Sequence, residues 1–191
     1  AGPKISPDGT RLAWLAPVEG VLNIWVKTLG KEDGRPLTTD RGRGVRNYFW
    51  AEDRRSLLYV QDQGGDENWR LYQADLETGA TRDLTPHPGT QVQIVGTDPN
   101  FPDQVLIALN LRDKRLQDAY SVDLRSGALR LVAENPGAVV GWLADASFRV
   151  RCAKSMRPDG GSELLVKDSE DSPWRSLMAW GPDDQGGAHG F

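Results

Sequence analysis

Three short stretches of this sequence gather side chains able to do chemistry. The first, DQGGDEN, brings Asp62, Asp66, Glu67 and Asn68 within seven residues. Oxygen ligands at that density suit a hard cation such as calcium, but the spacing departs from the twelve-residue EF-hand pattern and no glutamate stands at its bidentate position. A solvated connection between strands accounts for the stretch, with Asp66 and Glu67 placed to meet a basic terminus of a substrate. The second, RGRGVR from Arg41 to Arg46, spaces arginines with glycines. Guanidinium forks so arranged can grip phosphate or carboxylate, although a polar connection explains them as well. The third, LNLRDKRLQD from Leu109 to Asp118, reads as a long charged loop with the same two interpretations. Asp66, Glu67, Asn68, Arg43, Arg46 and Arg112 are therefore the candidate contacts for a substrate or partner.

The remaining reactive residues are isolated. His87 lies between Pro86 and Pro88, His189 in a glycine-rich tail, and Cys152 is the single cysteine, inside an expected strand. No cysteine pair and no spaced histidine cluster exists from which to build a metal site, and no cofactor motif is present. Neither a metal nor a cofactor is expected. A lone cysteine suits a reducing compartment, so a cytoplasmic location is expected, with the periplasm as the alternative.

Composition narrows the partners. The 191 residues are 38% hydrophobic and carry 23 basic against 27 acidic side chains, a net charge of −4. That balance lacks the basic footprint of a nucleic-acid binder, and no apolar run approaches the roughly 18 to 20 residues that cross a bilayer. Neither nucleic acid nor membrane is expected as a partner.

The elements that must position these residues are short strands. LAWLA (12–16), NIWVKTL (23–29), LLYVQ (57–61), WRLYQADL (69–76), VLIALN (105–110) and YSVDL (120–124) are rich in aromatic, Leu and β-branched residues. The 21 glycines and 12 prolines cluster in the gaps between them, which leaves no room for long helices. These strands recur in a fixed order. From Asn47 to Pro86 come an aromatic strand, a charged tight turn, two apolar strands around a polar loop, a Thr-Gly turn and a strand ending Leu-Thr. Tyr120–Leu124 with Ser126-Gly127 matches Tyr72–Leu76 with Thr78-Gly79, and Ser6-Pro7-Asp8-Gly9 is an earlier tight turn of the same series. The period, about 46, 44 and 48 residues between successive starts, is that of a four-stranded propeller blade.

The expected fold is thus all-β: a partial propeller of about four antiparallel four-stranded blades over residues 1–46, 47–90, 91–138 and 139–180, with 181–191 opening a further blade. A single meander of this length cannot bury both of its faces, so blades stack, and the seven tryptophans are expected to pack there. Connections after the second and fourth strands of each blade emerge on one face. DQGGDEN, LRDKRL, RGRGVR and the Pro86–Gly89 loop accordingly share a rim.

SPDG, YFWAED, LLYVQDQGGDENWRLYQADLETG with DLTP, and VAENPGAVVGWLAD together resemble the N-terminal β-propeller of bacterial prolyl-oligopeptidase-family (S9) serine peptidases, of the acylaminoacyl-peptidase and dipeptidyl-aminopeptidase-like branch. The resemblance covers essentially the whole chain. It implies a ring of seven or eight blades, of which this chain holds part, and a C-terminal α/β-hydrolase domain as partner, to which the propeller restricts and guides peptide substrates. The nucleophile of that domain would sit in a Gly-x-Ser-x-Gly elbow. Here Gly160-Gly161-Ser162-Glu163-Leu164 lacks the final glycine, and Ser162 opens a strand. The hydrolase domain is therefore expected to be absent from this chain, and the chain itself is expected to carry no catalytic residue. The other reading is a TolB-like propeller scaffold for protein–protein interaction.

Overall fold

The computed structural model describes residues 2–184. Among them there is no helix, and sixteen strands form four sheets of four. The first sheet runs β1 (Lys4–Ile5), β2 (Arg11–Val18), β3 (Val21–Thr28) and β4 (Arg35–Pro36); the second, β5 (Asn47–Trp50), β6 (Ser56–Gln61), β7 (Arg70–Asp75) and β8 (Thr81–Asp83). The third holds β9 (Val92–Gly96), β10 (Gln104–Asp113), β11 (Leu116–Asp123) and β12 (Leu129–Ala133); the fourth, β13 (Val139–Ala144), β14 (Val150–Met156), β15 (Ser162–Val166) and β16 (Arg175–Trp180). Within every sheet the spatial order is the chain order, as in a propeller blade. The chain is all-β, a partial β-propeller of four antiparallel blades.

Local chemistry sets the chain reversals. Asp8 Oδ1 accepts from Ser6 Oγ at 2.6 Å, Thr10 N at 3.1 Å and Thr10 Oγ1 at 2.8 Å, while Gly9 takes the left-handed φ of 71° that the turn requires. Between the third and fourth strands of the second blade, Asp75 Oδ1 accepts from Glu77 N at 3.0 Å and from Thr78 N and Oγ1 at 2.8 Å. Asp123 repeats this with Arg125 N at 3.1 Å, Ser126 N at 2.7 Å and Ser126 Oγ at 2.8 Å. The Leu-Thr that closes a repeat has a matching cause. Thr38 Oγ1 accepts from Ile24 N–H at 2.9 Å, and Thr85 Oγ1 from Leu71 N–H at 3.0 Å, both buried; each hydroxyl extends its sheet by one bond beyond the main-chain ladder.

The chain divides into two compact units. The first holds residues through Val92 with Thr97–Val105 and Asp123–Ala128; the second holds Gln93–Gly96, Leu106–Val122 and the described residues from Leu129 on. In the first unit Ala13, Ile24, Val26 and Leu37 of the first blade form one apolar core with Tyr48, Trp50, Leu57, Tyr59, Ala74 and Leu76 of the second. Polar atoms join that core without being stranded in it: Tyr48 OH donates to Ala13 O at 2.8 Å or Gly2 O at 2.9 Å, and Trp50 Nε1 donates to Lys4 O at 3.1 Å.

Two expectations change. Only Trp50 and Trp142 of the seven tryptophans are buried; Trp14 and Trp25 instead stack on each other across β2 and β3, with centroids 6.1 Å apart. The stretch from Leu109 to Asp118 is not a long loop, because β10 runs to Asp113 and β11 begins at Leu116. Its charges lie on a hairpin, where Arg112 Nε and Nη2 each meet a carboxylate oxygen of buried Asp118 at 2.9 Å and so need no loop to reach water.

Candidate functional site

Three connections of the first unit, β4–β5, β6–β7 and β8–β9, emerge on one edge and are tied to one another. Asp40 starts the assembly. Its N–H donates to Asn23 Oδ1 at 2.7 Å and its carbonyl accepts from Asn23 Nδ2 at 3.0 Å, Asn23 being wholly buried at the head of β3. Asp40 Oδ2 in turn accepts from Gly44 N at 2.5 Å and Gln61 Nε2 at 3.0 Å. Gly44 has φ 72°, and a Cβ there would meet Leu22 O at 3.0 Å, so the RGRGVR glycine is a packing requirement. From that braced loop Arg43 reaches across to the next connection, with Nε 3.1 Å from Asp62 Oδ1 and Nη2 3.1 Å from Asp62 Oδ2. The Asp62 side chain is 2% exposed and that of Arg43 41%. The Arg43 hydrogen bond holds the Asp62 carboxyl below the usual carboxylate range.

The DQGGDEN loop is folded on itself. Gly64, Gly65 and Glu67 take φ of 61°, 87° and 56°. Asp66 Oδ1 accepts from Gln63 N at 3.2 Å and Asn68 N at 3.0 Å, and Oδ2 from Asn68 Nδ2 at 3.1 Å. The Asn68 bonds lower the Asp66 carboxyl from its ordinary value. Glu67 stays exposed, and its carbonyl accepts from Gln91 Nε2 at 3.1 Å, which joins this loop to the one before β9. The structure therefore brings Arg43, Asp66, Glu67 and Asn68 into one rim, with Arg46 exposed in the same connection as Arg43. Arg112 belongs to the second unit and is engaged with Asp118, which raises its pKa.

Beneath the rim lies a cleft of about 600 Å³ whose lining includes Asp40, Arg43, Tyr59, Asp62, Gln63 and Tyr72. Tyr59 and Tyr72 face each other across β6 and β7, their rings 5.2 Å apart and inclined by 15°. Burial, helped by Tyr72 and Asp40, pushes the Tyr59 hydroxyl up to about 12. Sequence reasoning missed Asp40 and this tyrosine pair, although a hairpin centred on the DQGGDEN loop sets Tyr59 opposite Tyr72.

A second cleft of about 520 Å³ opens among the opposite turns, lined in part by Asp53, Arg55, Asp75, Arg82, Asp103 and Arg125. Arg82 closes one side. Its Nη2 donates to Leu124 O at 2.5 Å and Gln73 Oε1 at 2.7 Å, and its Nη1 to Arg125 O at 3.2 Å. Arg35 stands at the corresponding place in the first blade and donates to Leu76 O. Arginine at the entry to the outer strand thus latches each of these blades to the next.

The other reactive residues have structural surroundings of their own. Ser162 opens β15 and pairs with Met156 and Trp180. A Cβ at Gly161 would collide with the Trp180 carbonyl oxygen, which accounts for that glycine without an elbow. Burial pushes the Cys152 thiol up, away from thiolate chemistry. His87 is half-buried, and His189 lies outside the described residues. Among the described residues no three His, Cys, Asp or Glu side chains gather as a metal site.

No family model matches the chain. In fold it resembles prolyl oligopeptidase B from Galerina marginata, with TM-score 0.64 and 14% identity over 96% of this chain and 27% of that one. It also resembles TolB from Acinetobacter baumannii, with TM-score 0.58 and 15% identity over 93% of this chain and 43% of that one. The fold and the blade repeat define a β-propeller segment. Sequence is more particular: the chain is 40% identical over 190 residues, 95% of its length, to dipeptidyl aminopeptidase BIII of Pseudoxanthomonas mexicana. Its sequence is thus similar to one segment of dipeptidyl peptidases. It spans between 22% and 28% of the length of the curated relatives it matches.

Proposed function

We propose that this chain is a non-catalytic propeller segment of a serine peptidase, which restricts and guides peptides to a hydrolase domain carried outside these residues. The observation that carries the reading is the 40% identity to a dipeptidyl aminopeptidase over 95% of the chain, confined to 28% of that protein's length. Two features of the site agree with it. Ser162 and Cys152 lie in the paired strands β15 and β14, and burial pushes the Cys152 thiol away from the thiolate form that a nucleophile needs. The rim and its cleft are polar, anchored by buried Asn23 and Asp62, and suited to contact with a peptide in transit. The TolB-like scaffold reading rests on fold alone and has no comparable sequence support.

The 191-residue chain is expected to show no turnover of acylated amino-acid or dipeptide chromogenic substrates, whereas the longer protein that contains it hydrolyses them. Turnover by the chain alone, abolished by Ser162→Ala or Cys152→Ala, would overturn the assignment. The gating part is tested separately. Deleting this segment from the longer protein is expected to widen the range of peptide lengths accepted, and an unchanged range removes that role.

A further inference from the structure

We propose that the cleft beneath the rim binds the cationic side chain of a peptide, arginine or lysine, through Asp40 and the Tyr59–Tyr72 pair. Charge is the first argument. Asp40, Arg43 and Asp62 are the charged residues of its lining. Arg43 and Asp62 are spent on each other by a two-point ion pair, which leaves the cleft with the single negative charge of Asp40. An anion would meet a lining of net negative charge, whereas a cation finds a carboxylate ready.

The second argument is preorganisation. Asp40 is fixed at its main chain by Asn23, and its Oδ2 already holds Gly44 and Gln61. Among the described residues none donates a hydrogen bond to Oδ1, so half of the carboxylate is held in place and unspent. Beside it the stacked tyrosines offer an aromatic wall, against which a planar guanidinium or an ammonium is attracted by the ring quadrupole. Gly42, Gly64 and Gly79 also line the cleft and let a peptide main chain approach closely. A volume of about 600 Å³ accommodates a long side chain. None of this depends on a hydrolase domain.

The test is calorimetric titration of the 191-residue chain with a short peptide blocked at both ends and carrying one central arginine, beside its neutral citrulline counterpart. Blocked ends exclude recognition of a terminus. Saturable binding of the arginine peptide is expected, with the citrulline peptide at least tenfold weaker. Asp40→Asn keeps an acceptor for Gly44 and Gln61 and removes the charge, so it should erase that preference; Tyr72→Leu should weaken the arginine peptide without disturbing Asp40. Equal affinity for the two peptides, or a preference that survives in folded Asp40→Asn, overturns the proposal. If Asp40→Asn does not fold, amide shifts of the wild-type chain decide: perturbations centred on Gly64, Gly79 and Tyr72 support the site, and perturbations elsewhere overturn it. Failure of this binding leaves the peptidase reading standing, because that reading is judged on turnover.

Discussion

Aspartate is the residue that reverses the chain in this protein, and its charge state therefore bears on stability. Asp8 is held down to about 2 by hydrogen bonds from Ser6 and then Thr10. The Thr78 main chain lowers the Asp75 carboxyl from its ordinary value, and the Ser126 main chain that of Asp123. In each case the folded state binds its proton less readily than the unfolded chain, whose aspartates titrate near about 3.9. The stabilisation is therefore complete above that pH and is lost as pH falls through the folded-state values. Urea midpoints measured from pH 5 to pH 2 should fall across that interval. A triple Asp8→Asn, Asp75→Asn, Asp123→Asn variant should start lower and fall less; parallel curves would show that these turns do not set the acid limit. Gly79, at φ 73° in the same turn as Asp75, supplies a second check. Gly79→Ala should cost about 1–2 kcal/mol, the penalty for a Cβ in the left-handed region, read from the same midpoints.

At the scale of strands and connections, the arginine latch distinguishes one outer strand from another. Arg82 fastens β8 to two carbonyls of the turn after β11, whereas Arg130, near the start of β12, is exposed. Arg82→Ala should lower stability by about 1.5–3 kcal/mol, the range for hydrogen bonds to a charged group. Arg130→Ala should stay within about 0.5 kcal/mol as an ordinary surface change. Chemical denaturation of both variants checks the contrast. The same scale shows why part of the structure could be read in advance. The blade repeat was legible because its markers are local: Asp with a hydroxyl three residues on, then glycine, and Leu-Thr at the close. The hairpin at Lys114-Arg115 was not, because a run of charge has the composition of a loop while Arg112 and Asp118 cancel each other across two strands. Arg43 was legible as a candidate, but its partner Asp62 is nineteen residues away in another connection. Asp40 was invisible since its anchor, Asn23, is seventeen residues back and becomes a neighbour only in the sheet.

For the molecule as a whole, protection should follow burial. β6 and β10 are nearly continuous buried runs, and β16 is exposed from Arg175 through Ala179, with Leu177 and Met178 each more than half exposed. Amide hydrogen exchange is expected to be slowest in β6 and β10 and fastest, among the six-residue and longer strands, in β16; the reverse order would mean that burial does not rank local stability here. The arginine latches carry a further consequence, for synthesis. Arg35 is held by a carbonyl 41 residues later in the chain, and Arg82 by one 42 residues later. Every strand can pair with its chain neighbour as it emerges, but β4 and β8 are not fastened until β7 and β11, the third strands of the following blades, have turned. Growth from the ribosome thus closes the first two blades as a zip closes, each tooth caught by the one made after it.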